Sequence, residues 1–286
     1  LPAILLFAVA GAFAQLVDGT LGMAFGITST TLLILLGATP VSASAAVHFA
    51  EIGTTLASGL SHWREGNVDK RVIWRLGIPG AVGAFIGATV LSQISLTDAR
   101  VWMSALLIVL GLILLLRFGL GTTLIPVISS RPKTNLLVPL GGFAGFVDAS
   151  GGGGWGPITT PTLLTLTKTA PRRVIGTVSA SEFMVAVAAS AGFIFGAVAK
   201  VEWDVVAGLL IGGVIMAPIA AKLAGRLPSA PFGAAIGGAV ILLNLQILLT
   251  EFGASANVMW VVAISVVIAT ALLALRAYLR TDSSKS

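Results

Sequence analysis

The sequence predicts an all-α polytopic membrane protein built from two inverted repeats, each opening on a glycine-rich re-entrant hairpin. Three observations carry that expectation. Apolar runs long enough to cross about 30 Å of hydrocarbon recur along the chain, in which 56% of 286 residues are hydrophobic and 10% charged. The second half repeats the first in its polar residues as well as its apolar ones. The lysines and arginines fall on one face only if two of the apolar segments turn back on themselves.

Apolar segments lie at about 1–37, 42–62, 72–92, 98–117, 136–167, 172–196, 202–222, 231–250 and 257–279. The first and the fifth are longer than one crossing, and each is interrupted by an aspartate among glycines, in "VDGTLGMAFG" (17–26) and "FVDASGGGGWGP" (146–157). At an offset of 130 residues, Phe13, Ala14, Val17, Asp18, Gly26 and Thr30 fall on Phe143, Ala144, Val147, Asp148, Gly156 and Thr160. One residue later Pro40, Val47, Glu51 and Ala57 fall on Pro171, Val178, Glu182 and Ala188. Apolar segments share Leu, Ala and Val by chance; they do not share Asp, Gly, Pro and Glu in order.

If each long segment crosses once, the 17 basic residues divide nine against eight. If each is a hairpin, 15 lie on one face and only Arg100 and Lys200 on the other, the bias expected of a cytoplasmic side. The chain then has about seven full crossings plus two hairpins, the last crossing being an extra C-terminal helix. Residues 1–117 form the first repeat, 118–135 a cytoplasmic linker, 136–250 the second repeat, and 251–286 the C-terminal helix and a cytoplasmic tail. The arms of the second hairpin are expected at about 136–147 and 157–167, each reaching about halfway through the bilayer. Inverted repeats with broken helices meeting at the midplane are a common plan of secondary transporters. Trp63, Trp74, Trp102, Trp203 and Trp260 sit at segment ends, where aromatic belts form, and Trp155 at a hairpin tip.

Pro157 suits the first turn of a helix, so a helix is expected to begin at the second tip with its N-terminal amides and positive dipole end inside the membrane. Gly151, Gly152, Gly153, Gly154, Trp155 and Gly156 on one tip, and Gly22 and Gly26 on the other, are candidate amide donors to a small dense anion. Thr28, Ser29, Thr159 and Thr160 add hydroxyls. The glycines are also what a tight turn alone would need. Asp18, Glu51, Asp148 and Glu182 lie within apolar segments as two repeat-related pairs. Intramembrane acids are costly and commonly functional; these either cap amides freed at the breaks or titrate to couple transport. His48, three residues before Glu51 on one helical face, is either a proton relay or a hydrogen-bonded interior imidazole.

Several function classes are disfavoured. The net charge of +6 comes without a basic patch interleaved with aromatics, so nucleic acid is not an expected partner. Cysteine is absent, which removes thiol chemistry. The glycine run lacks the Lys-Ser/Thr of a phosphate loop. No catalytic pair, metal set or cofactor motif recurs, and His48 and His62 are the two histidines. The opening apolar run lacks a basic leader and is not expected to be a signal peptide.

"GAFAQLVDGTLGMAFGITSTTLLILLGATPVSASAAVHFAE" and its echo "GGFAGFVDASGGGGWGPITTPTLL" resemble the TauE/SafE family of sulfite exporters and sulfonate permeases, over essentially the whole chain. The resemblance implies a cytoplasmic-membrane carrier, C-terminus inside, moving sulfite, sulfoacetate or related organosulfonates, with export expected. Expected partners are the small anion and the lipid bilayer; the oligomeric state is not readable. The alternative is a proton- or sodium-coupled transporter whose buried acids form a cation site. An intramembrane enzyme is the weakest reading.

Overall fold

A computed structural model describes residues 2–21, 23–64, 66–121, 133–167, 169, 171–196, 201–223 and 229–283. Eleven α-helices occur among the described residues: α1 (Pro2–Leu21), α2 (Phe25–Leu35), α3 (Pro40–Arg64), α4 (Lys70–Gln93), α5 (Leu96–Leu120), α6 (Thr134–Gly151), α7 (Trp155–Leu166), α8 (Pro171–Phe195), α9 (Trp203–Leu223), α10 (Ser229–Glu251) and α11 (Ala256–Ser283). The chain is an all-α polytopic membrane protein.

Local chemistry sets the boundaries. Pro40 and Pro171 open α3 and α8, where a missing N–H costs nothing. Asp69 caps α4 by accepting from the amides of Arg71 and Val72, and Ser95 caps α5 through the amide of Asp98. Gly152, at φ +73°, ends α6 in the left-handed conformation that glycine adopts at least cost.

By length and composition α4, α5, α8, α10 and α11 can each cross a membrane. That covers five of the seven expected crossings. α9, Trp203–Leu223, has 21 residues. At 25 residues α3 is long enough, but it is diluted by His48, Glu51 and several Ser and Thr.

The packing has a recognisable plan. The principal pairs are α1 with α9, α4 with α6, α5 with α10, α4 with α8, and α3 with α8. Exchanging α1–α5 for α6–α10 carries this pattern onto itself: α1–α9 becomes α6–α4, and α3–α9 becomes α8–α4. In several of these pairs backbone meets backbone. A Cβ on Gly83 would stand 2.0 Å from the Gly142 carbonyl oxygen, and one on Gly212 would stand 1.9 Å from that of Ala8. Small residues thus let helices approach where lipid offers no hydrophobic drive. Outward faces are apolar: Val82, Ile86 and Val90 on α4 and most of α11 are exposed. Trp63, Trp74, Trp102, Trp203 and Trp260 are all exposed as well, while Trp155 is fully buried.

Two expectations need correction. The first arm of the second hairpin is α6 with 18 residues, about 27 Å at 1.5 Å per residue, and not a half-crossing. The second arm, α7, has 12 residues, and the first hairpin has the same long-then-short form with 20 and 11. The sequence reading broke the helix at the aspartate, whereas Asp148 stays in the last turn of α6 and its side chain reaches forward. The helices also encroach on the linker drawn at 118–135: α5 runs to Leu120 and α6 starts at Thr134.

Candidate functional site

One residue satisfies the backbone at the second break. The Asp148 carbonyl accepts from the amides of Gly152 and Gly153, and its Oδ1 accepts from Gly154 (2.6 Å) and Trp155 (2.9 Å). Four successive amides therefore lean on Asp148, which is buried. The first half repeats the device, the Phe25 amide donating to the Asp18 carboxylate. Each aspartate thus caps the helix that follows its break, which neutralises orphan donors and places a negative group at a positive dipole end.

The two tips touch. A Cβ on Gly26 would stand 2.8 Å from the Gly153 Cα, and one on Gly156 would stand 3.0 Å from the Met23 Cβ. The Thr30 hydroxyl donates to the Gly152 carbonyl. The N-termini of α2 and α7 are thereby brought together, with Ala24 held at φ 117°, which is strained for a residue with a Cβ. In the first two turns of these helices the hydroxyls of Thr28, Ser29 and Thr160 are buried and have no hydrogen-bond partner among the described residues. A buried polar atom left unpaired costs about 1–3 kcal/mol, so these three mark a place where a polar guest would be stabilising. Thr159 differs, its hydroxyl donating back to the Trp155 carbonyl.

Beside the tips lies a small cavity lined by Asp18, Glu51 and Glu182 with Gln15, Thr54, Ser58 and Ser179. Three of the four intramembrane acids share it. The fourth, Asp148, reaches it through His48. Asp148 Oδ2 lies 3.1 Å from His48 Nε2, and Glu51 Oε2 lies 4.0 Å from the same nitrogen. His48 Nδ1 is 2.7 Å from the Ser44 carbonyl, which can only accept, so Nδ1 carries a proton. Nε2 and the two carboxylates lie within 4.8 Å of one another, close enough to share a proton or to surround a small cation. This set, assembled from α3 and α6, is one that sequence spacing did not disclose.

The sequence-predicted residues separate into groups. Gly26, Gly152, Gly153 and Gly156 form the tip contact, and Gly151 packs on Leu106 of α5. Gly154 and Trp155 supply amides to Asp148. The Trp155 indole points away from the cavity, donating 3.1 Å to the Val178 carbonyl and packing against Gly80. Gly22 lies outside the described residues. Sequence reasoning gave no site role to Ser44, whose hydroxyl donates to the Ala149 carbonyl at 2.7 Å; its spacing of four before His48 is the available signal. It also missed Gln15, three before Asp18, and Asn244, which donates to Thr31 from α10.

Comparison with known proteins gives a consistent picture. The profile of the family described as "Sulfite exporter TauE/SafE" matches residues 7–247. A "Probable membrane transporter protein YtnM" of Bacillus subtilis (strain 168) is 46% identical over 262 residues, 89% of this chain and 86% of that protein. No solved structure matches significantly.

Proposed function

Because this chain belongs to the TauE/SafE family, we propose that it is a secondary transporter, and not an enzyme, of small sulfur-containing anions such as sulfite, sulfoacetate or related organosulfonates. It sits in the cytoplasmic membrane with its C-terminus inside, and export is its working direction. The observation that carries this reading is the meeting of two helix N-termini beside the orphan buried hydroxyls of Thr28, Ser29 and Thr160. Amides, hydroxyls and two dipole ends are what an oxyanion binds. The reciprocal pairing of α1–α5 with α6–α10 supports two inverted repeats, which alternate around the tips. The 46%-identical relative, a probable membrane transporter, supports transport but names no substrate.

The test is flux into proteoliposomes with sulfite, sulfoacetate, sulfate and chloride. Saturable flux of sulfite or sulfoacetate that chloride does not inhibit is expected. Flux no greater than in protein-free vesicles for every sulfur anion refutes the assignment.

A second reading has its own observation. Asp18, Glu51 and Glu182 line one cavity, and no lysine or arginine is paired with them among the described residues. Such a cavity suits coupling to a proton or to sodium. Sodium dependence at constant pH separates the two.

A further inference from the structure

We infer that Asp148 is a tethered competitor of the transported anion, released from the α7 N-terminus by a proton that reaches it through His48. The inference rests on the anion-transport reading and adds to it the coupling ion and its carrier.

The amides of Gly154 and Trp155 are those an oxyanion at the start of α7 would take, and Asp148 Oδ1 holds both. A carboxylate and a substrate anion cannot share these donors while both are charged, because two negative groups in contact disfavour each other's ionisation. The substrate is admitted when the carboxylate gains a proton and lets go. The atom that can receive this proton is the other oxygen, Oδ2, which faces His48 Nε2 at 3.1 Å.

The imidazole is built for the transfer. Its Nδ1–H is committed to the Ser44 carbonyl at 2.7 Å, and the Ser44 hydroxyl is anchored on the Ala149 carbonyl at 2.7 Å, in the same turn as Asp148. The ring cannot turn without breaking these bonds, so exchange is confined to Nε2. In the step, the Nε2–H bond breaks and an Oδ2–H bond forms. The imidazole is reprotonated at Nε2 from Glu51, whose Oε2 lies 4.0 Å away, a gap that a side-chain shift or one water closes. Glu51 opens on the cavity shared with Asp18 and Glu182. The ionisable groups facing this path are thus Asp18 from α1, His48 and Glu51 from α3, Asp148 from α6 and Glu182 from α8, and no lysine or arginine forms an ion pair with them among the described residues.

The two halves differ at one decisive position. In the register that aligns Glu51 with Glu182, His48 falls on Ser179, whose hydroxyl donates to Ser58 at 2.9 Å. Asp18 caps α2 as Asp148 caps α7, but Asp18 has no histidine in the equivalent place. A purely structural cap would need no such asymmetry. One proton then travels with each anion, the membrane voltage drops out for a monoanion, and export runs where the outward anion gradient exceeds the inward proton gradient.

Two measurements test this. In proteoliposomes containing a pH-sensitive dye, wild type is expected to move protons with sulfite or sulfoacetate in constant ratio. In Asp148→Asn, which keeps an acceptor for the two amides but takes no proton, and in His48→Gln, that ratio falls about tenfold or more. A wild type that carries sulfur anions on voltage or sodium with no proton movement, or variants that keep the wild-type ratio, overturns the inference. Infrared difference spectra of the substrate-free protein against pH give the second readout, independent of the substrate and of whether the variants transport. A protonated-carboxyl band that vanishes in Asp148→Asn, and whose frequency moves in His48→Gln because the Oδ2 partner at 3.1 Å is replaced, is expected. No such band, or a band whose frequency is unmoved in His48→Gln, overturns the inference. If wild type carries no sulfur anion, the transport reading fails separately, and the infrared result still decides whether His48 governs a proton on Asp148.

Discussion

Asp148 Oδ2 lies 3.1 Å from His48 Nε2, a contact between residues 100 apart in the chain. It ties the break in the second hairpin to the cavity lined by Asp18, Glu51 and Glu182. The same carboxylate caps α7 with its other oxygen. Structure and chemistry therefore meet in one side chain, and the variants below separate them.

Removing the cap destabilises the fold. Asp148→Ala leaves the buried amides of Gly154 and Trp155 without their acceptor, at a cost of about 2 kcal/mol. Asp148→Asn retains an acceptor and loses less than half as much. Thermal unfolding in mild detergent reads the difference. Equal melting of Ala and Asn variants would mean that the amides find another acceptor.

Gly153 is where the tips meet, at φ +143°, with the Ile27 nitrogen 2.2 Å from where a Cβ would stand. A larger residue therefore disturbs the fold as well as any anion site. Gly153→Ala is expected to lower stability by about 2–4 kcal/mol. Gly142→Ala, with one neighbour at 3.8 Å, serves as the control and melts near wild type. A Gly153→Ala variant as stable as that control contradicts the tip contact.

The orphan hydroxyls predict an inverse relation between stability and affinity. Thr28→Val, Ser29→Ala and Thr160→Val each remove an unpaired buried oxygen, so each is expected to be neutral or stabilising by up to about 1 kcal/mol. If these oxygens bind the anion, KM for sulfite or sulfoacetate rises about five- to tenfold, the worth of one hydrogen bond. Unchanged KM in all three variants would remove them from the site.

Topology is testable on a chain without cysteine. Single cysteines replacing Lys133 and Arg173, both exposed on either side of the second hairpin, are expected to label with an impermeant maleimide from the cytoplasm. A cysteine replacing Phe252, exposed between α10 and α11, labels from the opposite face. Labelling of Lys133 and Arg173 positions from opposite faces would mean that the hairpin crosses.

Much of this was legible in the amino-acid order. Helix number and class follow from apolar length, a local property. The repeat was visible because Asp, Gly, Pro and Glu are improbable in apolar segments and recur in register. The tip glycines were legible for the same reason. The belt tryptophans were readable from their position at segment ends, and those five are exposed while Trp155 is buried. The arm lengths were misjudged because an aspartate reads as a helix breaker, whereas α6 retains it to its last turn and turns only at Gly152 and Gly153.

By itself, then, the sequence determined that this is a helical membrane protein with paired intramembrane acids and two glycine breaks, since hydropathy and backbone preference act over neighbouring residues. The tertiary structure alone decided what the acids touch. Asp148 meets His48 only because α3 and α6 come together at that height, and Asp18 shares a cavity with Glu51 and Glu182 only because α1, α3 and α8 converge there. Hydrogen bonds of about 3 Å depend on how helices cross and rotate, which is set by packing throughout the bundle and is not encoded in any one segment.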